Sequence, residues 1–233
     1  MTFEKERFLK LVLDKKNNEA LKMLNTYLVE NPNNLFLRVG KACYLSEYPF
    51  FDYWVSLEIL NDVLGMSPQY DYAIVLKGVI EYLNEGNVSE NTFCLLKRPI
   101  NTDGEETELS GDMFTLMALY YKGKDPDQYC YYLIEAIKAS PHYVMPYKEL
   151  SDYQKQNGYY REALESIENA IKNSAGLLAD DDFIDPLDIE EYLNVYFRDT
   201  RLGAWNYEEL IYRREYLKAI IFEPGNQTLN HSP

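Results

Sequence analysis

Residues 157–174 read NGYYREALESIENAIKNS. Gly158, Tyr160, Ala163, Ile167, Ala170 and Ile171 recur at steps of three and four, which gathers the apolar ones along one side of a helix. Taken alone, the stretch is an ordinary amphipathic surface helix. Three other stretches repeat its layout. NEALKMLNTYLVENP (18–32) carries Ala20, Leu24, Leu28 and Pro32. SLEILNDVLGMSP (56–68) carries Leu57, Leu60, Leu64 and Pro68, and YYLIEAIKASP (131–141) carries Leu133, Ala136, Ile137 and Pro141. Pro32 and Pro68 are 36 residues apart, Pro68 and Pro141 are 73 apart, and Ala136 and Ala170 are 34 apart. A fixed period of this size is the mark of a repeat array.

Each of these helices needs another to cover its apolar stripe. Four candidates precede or separate them: LFLRVGKACYL (35–45), YAIVLKGVIEYL (72–83), MFTLMALYY (113–121) and MPYKELSDYQ (145–154). Gly40 and Gly78 fall inside the first two. A helix-interior glycine costs about 1 kcal/mol against alanine, so a close approach of two helices is expected there. Ala118 and Ser151 are small residues at the matching place.

The pattern resembles the tetratricopeptide repeat, a helix–turn–helix unit of about 34 residues. The fullest match spans 144–175, with Tyr147, Leu150, Ser151, Gly158, Tyr160, Ala163, Ile167 and Ala170; Ala175 stands where the family closes with proline. In 33–68 the matching residues are Phe36, Val39, Gly40 and Pro68, around an inserted EYPFFDYW. Ile74 and Gly78 match in 71–99, whose second helix is weak. Phe114, Ala118, Tyr121, Ala136 and Pro141 match in 111–143, and 1–34 matches mostly in its second half. The resemblance covers about three quarters of the chain. It implies an all-α fold: a right-handed superhelical solenoid of about five helical hairpins over 1–176, closed by capping helices and a frayed tail over 177–233.

Local signals refine this picture. Asp125, Pro126 and Gln128 read as N-cap, first helical residue and reciprocal cap partner. The segment RPINTDGEETELSGD (98–112) reads as an exposed acidic loop, either a solvated connection or a contact for a basic partner. Asp185, Pro186 and Asp188 read as another helix start. NYEELIYRREYLKAIIF (206–222) carries Asn206 as cap and Leu210, Ile211, Leu217, Ile220 and Ile221 as its apolar face.

Composition narrows the function classes. The chain has 233 residues, 46% hydrophobic, enough to bury a sizeable core. Its net charge is −15, which repels phosphate backbones and anionic membranes. A basic protein is the electrostatic complement, although an acidic surface also serves solubility. The first residues, MTFEKERFLKLVLDKK, lack an uninterrupted apolar run, so no signal peptide is expected, and no stretch approaches the roughly 20 apolar residues of a membrane span. Cys43, Cys94 and Cys130 are dispersed, which fits a reducing cytoplasm.

No enzyme signature is present: no GxGxxG, GxxxxGK[ST], HExxH or GxSxG occurs. His142 sits at a repeat boundary as a surface turn residue. DDDFIDPLD (180–188) lacks the glycine of a calcium loop and reads better as a helix-capping acidic run. No cofactor, metal or small-molecule substrate is expected.

The family resemblance further implies a concave groove lined by the first helices. Projected onto this chain, it is formed by Leu37, Lys41, Tyr44, Tyr72, Val75, Val79, Tyr82, Leu119, Lys122, Lys148, Asp152 and Lys155. The acidic runs add Asp103, Glu105, Glu106, Glu108, Asp180, Asp181, Asp182 and Asp185 as partner contacts. The subclass that clamps chaperone C-termini is not expected: Lys5 fits one clamp position, but Leu9 and Arg38 stand where asparagines belong. The expected function is non-catalytic sequestration of a basic protein, by an immunity protein against a toxin or by a secretion chaperone. A general peptide-binding adaptor is the alternative, and an unrecognised enzyme a third.

Overall fold

The structure, a computed structural model, describes residues 3–47, 49–97, 109–174, 185–188, 193 and 207–222. Among these residues there are eleven helices and no strand. They are α1 (Lys5–Leu13), α2 (Asn17–Glu30), α3 (Leu35–Ser46), α4 (Tyr53–Met66), α5 (Asp71–Glu85), α6 (Glu90–Leu96), α7 (Ser110–Tyr121), α8 (Pro126–Ala139), α9 (Val144–Gln156), α10 (Tyr160–Ser174) and α11 (Tyr207–Phe222). Consecutive helices pack as hairpins, α1 with α2 through α9 with α10, and α11 lies on α10. The expected helices that fall on described residues are present, with ends shifted by a few residues, while the helix expected to start at Asp185 would run through residues outside the described ones.

The chain divides into two compact units. The first takes Met1–Arg98 with Ala179–Leu193, the second Pro99–Leu178 with Asn194–Pro233. Leu187 is built into the core of the first unit beside Phe8, Ala20, Leu24, Leu37 and Tyr44.

In the first unit, each fully buried Leu or Phe contributes about 1.5–3 kcal/mol, and aromatic geometry orders the packing. The Phe8 and Tyr44 rings meet edge to face at 5.4 Å. The Tyr44 hydroxyl donates to Asn17 Oδ1 at 2.8 Å. Ser56 of α4 donates to the Ala42 carbonyl of α3 at 2.9 Å, bringing the two backbones close. Gly40 does permit a close approach, but not by a neighbouring helix. A Cβ there would lie 2.6 Å from Leu187 Cδ2, in the turn at 185–188. The weak second helix of the third hairpin is α6, seven residues long. A buried carboxylate holds it in place. Glu81 accepts from the Ser89 N–H, the Ser89 hydroxyl and the Thr92 hydroxyl, each at 2.9 Å, and Lys77 lies 3.8 Å away.

In the second unit, Asp125 caps α8 as expected, accepting from the N–H groups of Asp127 and Gln128 at 3.1 Å, with Pro126 in the first turn. Gly158 takes φ +80°, which lets the chain turn into α10 without a Cβ clash. Ser151 donates to the Ala163 carbonyl at 2.8 Å, tying α9 to α10. Val144, Ala163, Ile167 and Ala170 form one core with Leu210 and Leu217 of α11. Asn206, expected as the α11 cap, lies outside the described residues.

The loop expected over 98–112 ends earlier than composition suggests. Leu109, Ser110, Gly111 and Asp112 are all buried, and α7 begins at Ser110. Gly111 is required there: a Cβ would lie 2.1 Å from Ser140 Oγ and 2.5 Å from Ser140 Cβ. Gly111→Ala is therefore expected to destabilise the second unit by about 1–3 kcal/mol through overpacking. Adding Ser140→Gly should restore most of the loss in urea unfolding. Full stability of the single variant would show that the contact relaxes freely.

Candidate functional site

The projected groove residues fall into three groups. Leu37, Tyr44, Val75, Val79 and Leu119 are core residues and cannot meet a partner. These aliphatic and aromatic positions are consumed by packing within the units. Lys41, Tyr72 and Tyr82 keep partial exposure in the first unit. Burial, and then Arg38, lower the Lys41 pKa. Burial alone raises that of Tyr70, whose ring lies 6.3 Å from that of Tyr72.

The charged members, Lys122, Lys148, Asp152 and Lys155, come together in the second unit, but mostly to satisfy one another. Glu149, whose side chain is only 2% exposed, accepts from Lys148 Nζ at 2.8 Å and from Lys122 Nζ at 2.7 Å. It also accepts from the Tyr129 hydroxyl. Burial alone would raise the Glu149 pKa, but the two lysines outweigh it and hold the carboxyl down to about 2. Lys148 is held below its usual value because burial outweighs the pull of Glu149. Lys148 also lies 3.9 Å from Asp152. Asp152 in turn accepts from Arg213 of α11, which also donates to Glu209 at 3.0 Å. Lys155 Nζ sits 5.0 Å above the Tyr216 ring. Thus side chains of α11 engage Asp152 and Lys155 of α9. A small cavity of about 190 Å³ remains between them, lined by Asp152, Lys155, Glu209, Tyr212, Arg213 and Tyr216. Its acids and bases balance.

Among the acidic runs, Asp103, Glu105, Glu106, Glu108, Asp180, Asp181 and Asp182 lie outside the described residues. Asp185 is described, and it is engaged within the fold: it pairs with Lys5 at 2.7 Å and accepts from the Leu187 N–H at 2.8 Å. The same pair occupies Lys5, the one residue in place for a carboxylate clamp.

Other features went unread in the sequence. Trp54 is 79% exposed and Phe51 55% exposed at the start of α4. The signal was available: the inserted EYPFFDYW concentrates aromatics where an insertion is usually polar. A second cavity, about 410 Å³, lies between α1 and α2 over Phe3, Leu11, Met23 and Tyr27, with the balanced charges Glu4, Arg7, Glu19 and Lys22 around it. In the second unit, Asp112 is buried with its Oδ1 unpartnered. Burial pushes its carboxyl up to about 8, against a hydrogen bond with Tyr143 that lowers it.

Among the described residues, no group of three His, Cys, Asp and Glu side chains is placed to hold a metal ion. His142 is exposed in its turn, its ring 4.9 Å from that of Tyr143. No described helix is long and apolar enough to cross a membrane.

No protein-family model matches the chain, and no curated protein matches its sequence. Solved structures do match its fold. MamA 41-end from Desulfovibrio magneticus RS-1 is similar at a TM-score of 0.58 and 14% identity, covering 75% of this chain and 94% of that one. A tetratricopeptide repeat protein from Parabacteroides merdae is similar at 0.58 and 14% identity, covering 92% and 82%. YrrB, described as a TPR protein with an unusual peptide-binding site, is similar at 0.50 and 14% identity, covering 88% and 94%. With hairpins of matching order and this structural likeness, the chain has the tetratricopeptide-repeat fold.

Proposed function

We propose that this chain is a non-catalytic binding protein that sequesters one basic protein, in the manner of an immunity protein that neutralises a toxin or of a secretion chaperone. The observation that carries the reading is the charge: a net −15 on a repeat fold, one of whose structural neighbours, YrrB, is described as having a peptide-binding site. Residues 42–76 hold Glu47, Asp52, Glu58, Asp62 and Asp71 without a single Lys or Arg. Charge of one sign steers an oppositely charged partner and speeds encounter, with strong dependence on salt.

The immobilised protein is expected to capture one basic protein in stoichiometric amount from native lysate, identified by mass spectrometry and released at about 0.5 M salt. Recovery of no stoichiometric partner, or of acidic ones alone, would reject the reading.

A second reading, an adaptor that binds a linear peptide, is supported by the partial exposure of Tyr72 and Tyr82 and by the peptide-binding site named for YrrB. Tyrosine offers rigid area and a hydroxyl at low entropic cost. Under this reading Tyr72→Ala with Tyr82→Ala abolishes capture, while salt has little effect on the association rate.

A further inference from the structure

We propose that the exposed side chains of Trp54 and Glu58, one turn apart on α4 and following the Phe51 elbow, form a ridge that seats an arginine or lysine side chain of a basic partner. The proposal rests on the sequestration reading and names its contact point.

Local construction sets the ridge apart from a chance exposed residue. In the stretch PFFDYW the two phenylalanines diverge. Phe50 turns inward, its ring 5.4 Å from that of Tyr44. Phe51 turns outward, with φ +46°, a left-handed conformation that bulky residues avoid. The surroundings enforce it. The N–H groups of Phe50 and Phe51 both donate to the Glu47 carbonyl, at 2.8 and 3.0 Å, and that of Asp52 donates to the Leu45 carbonyl at 2.8 Å. Asp52 then caps α4 by accepting from the Val55 N–H at 3.1 Å. A strained, well-tied elbow thus holds one aromatic out of the core, three residues before the exposed Trp54.

Trp54 and Glu58 follow one another at i and i+4, so ring and carboxylate stand side by side on α4. A cation above an indole is attracted by its π face, most strongly for tryptophan, and the carboxylate adds a charged acceptor. Residues 42–76, which include this stretch, contain no Lys or Arg. Arg38 of α3 lies 4.0 Å from Asp62, one turn beyond Glu58, and donates to the Pro32 carbonyl at 2.6 Å. A second copy of the chain is a poor occupant, since both carry −15.

The test uses the full chain titrated with octa-arginine, followed by the indole N–H resonance of Trp54 in NMR. The chain has two tryptophans, and Trp205→Phe assigns the signal. Octa-arginine is expected to shift the Trp54 indole, while octa-glutamine does not. Trp54→Ala should weaken octa-arginine binding about tenfold and Glu58→Gln about threefold, with Trp54→Phe in between. Circular dichroism of all variants should match the parent, since both side chains are exposed. Equal binding by the parent and Trp54→Ala overturns the seat while leaving a basic partner in place. Absence of octa-arginine binding overturns the seat as well, and the lysate capture then decides the sequestration reading separately. A dimer that dissociates on Trp54→Ala also overturns it, in favour of a second copy.

Discussion

Glu149→Leu is expected to cost about 3–5 kcal/mol of unfolding free energy, because it leaves Lys148 charged and almost fully buried without its main partner. Tyr129 loses its acceptor at the same time. Lys122, about half exposed, can return to water and contributes little to the loss. Asp152, 3.9 Å from Lys148 Nζ, compensates it only weakly, so the cost comes from an under-compensated buried charge rather than from losing a strong bond. The double variant Glu149→Leu with Lys148→Met should therefore recover more than half of it, since replacing a whole buried pair by apolar groups is close to neutral. Urea unfolding of the two variants decides the matter. A single variant within about 1 kcal/mol of the parent would show that the pair is hydrated. The carboxyl is depressed to about 2, so its stabilisation is complete above the ordinary glutamate value and fades as pH falls through about 2.

Asp112 works in the opposite direction and should dominate the other side of the pH profile. Its carboxyl is raised to about 8. A group raised on folding gives its full stability below its unfolded value, near 4, and that stability is lost as pH rises through the folded value. By pH 8 the loss is about 5 kcal/mol, four pH units at about 1.4 kcal/mol each. Together the two residues make the second unit most stable near pH 4–5, unusually acidic for a domain. Asp112→Asn removes the titrating group while keeping its shape. The variant should lose the decline in stability between pH 4 and pH 8, read from urea midpoints at successive pH values. The shape of the profile is the diagnostic quantity, because a constant offset from the new amide leaves it unchanged. The same slope in parent and variant would show that Asp112 reaches solvent.

Much of the fold was legible because its signals are local. Helix faces at steps of three and four, prolines after helices, Asp125 as a cap and Gly158 at a turn act within a few residues, and each is found where periodicity places it. The repeat likeness then supplied the hairpin order. Legibility failed where contacts join distant segments. Gly40 meets Leu187, Lys5 pairs with Asp185, and Asp152 binds Arg213 across 61 residues. The turn at 185–188 joins Leu37 and Tyr44 in one core through Leu187, and α11 engages Asp152 and Lys155.

From its own pattern the chain specified all-helical hairpins, their order and most of their ends, since backbone hydrogen bonding and amphipathic spacing are satisfied within each helix. Only the tertiary structure decided which side chains of each helix meet water. It buried Tyr44 and left Trp54 outside, made Glu149 and Asp112 interior carboxyls of opposite pH dependence, and divided the C-terminal region between two units. The reason is physical. A helix has several sides, and which of them is covered depends on partners whose approach no local spacing encodes.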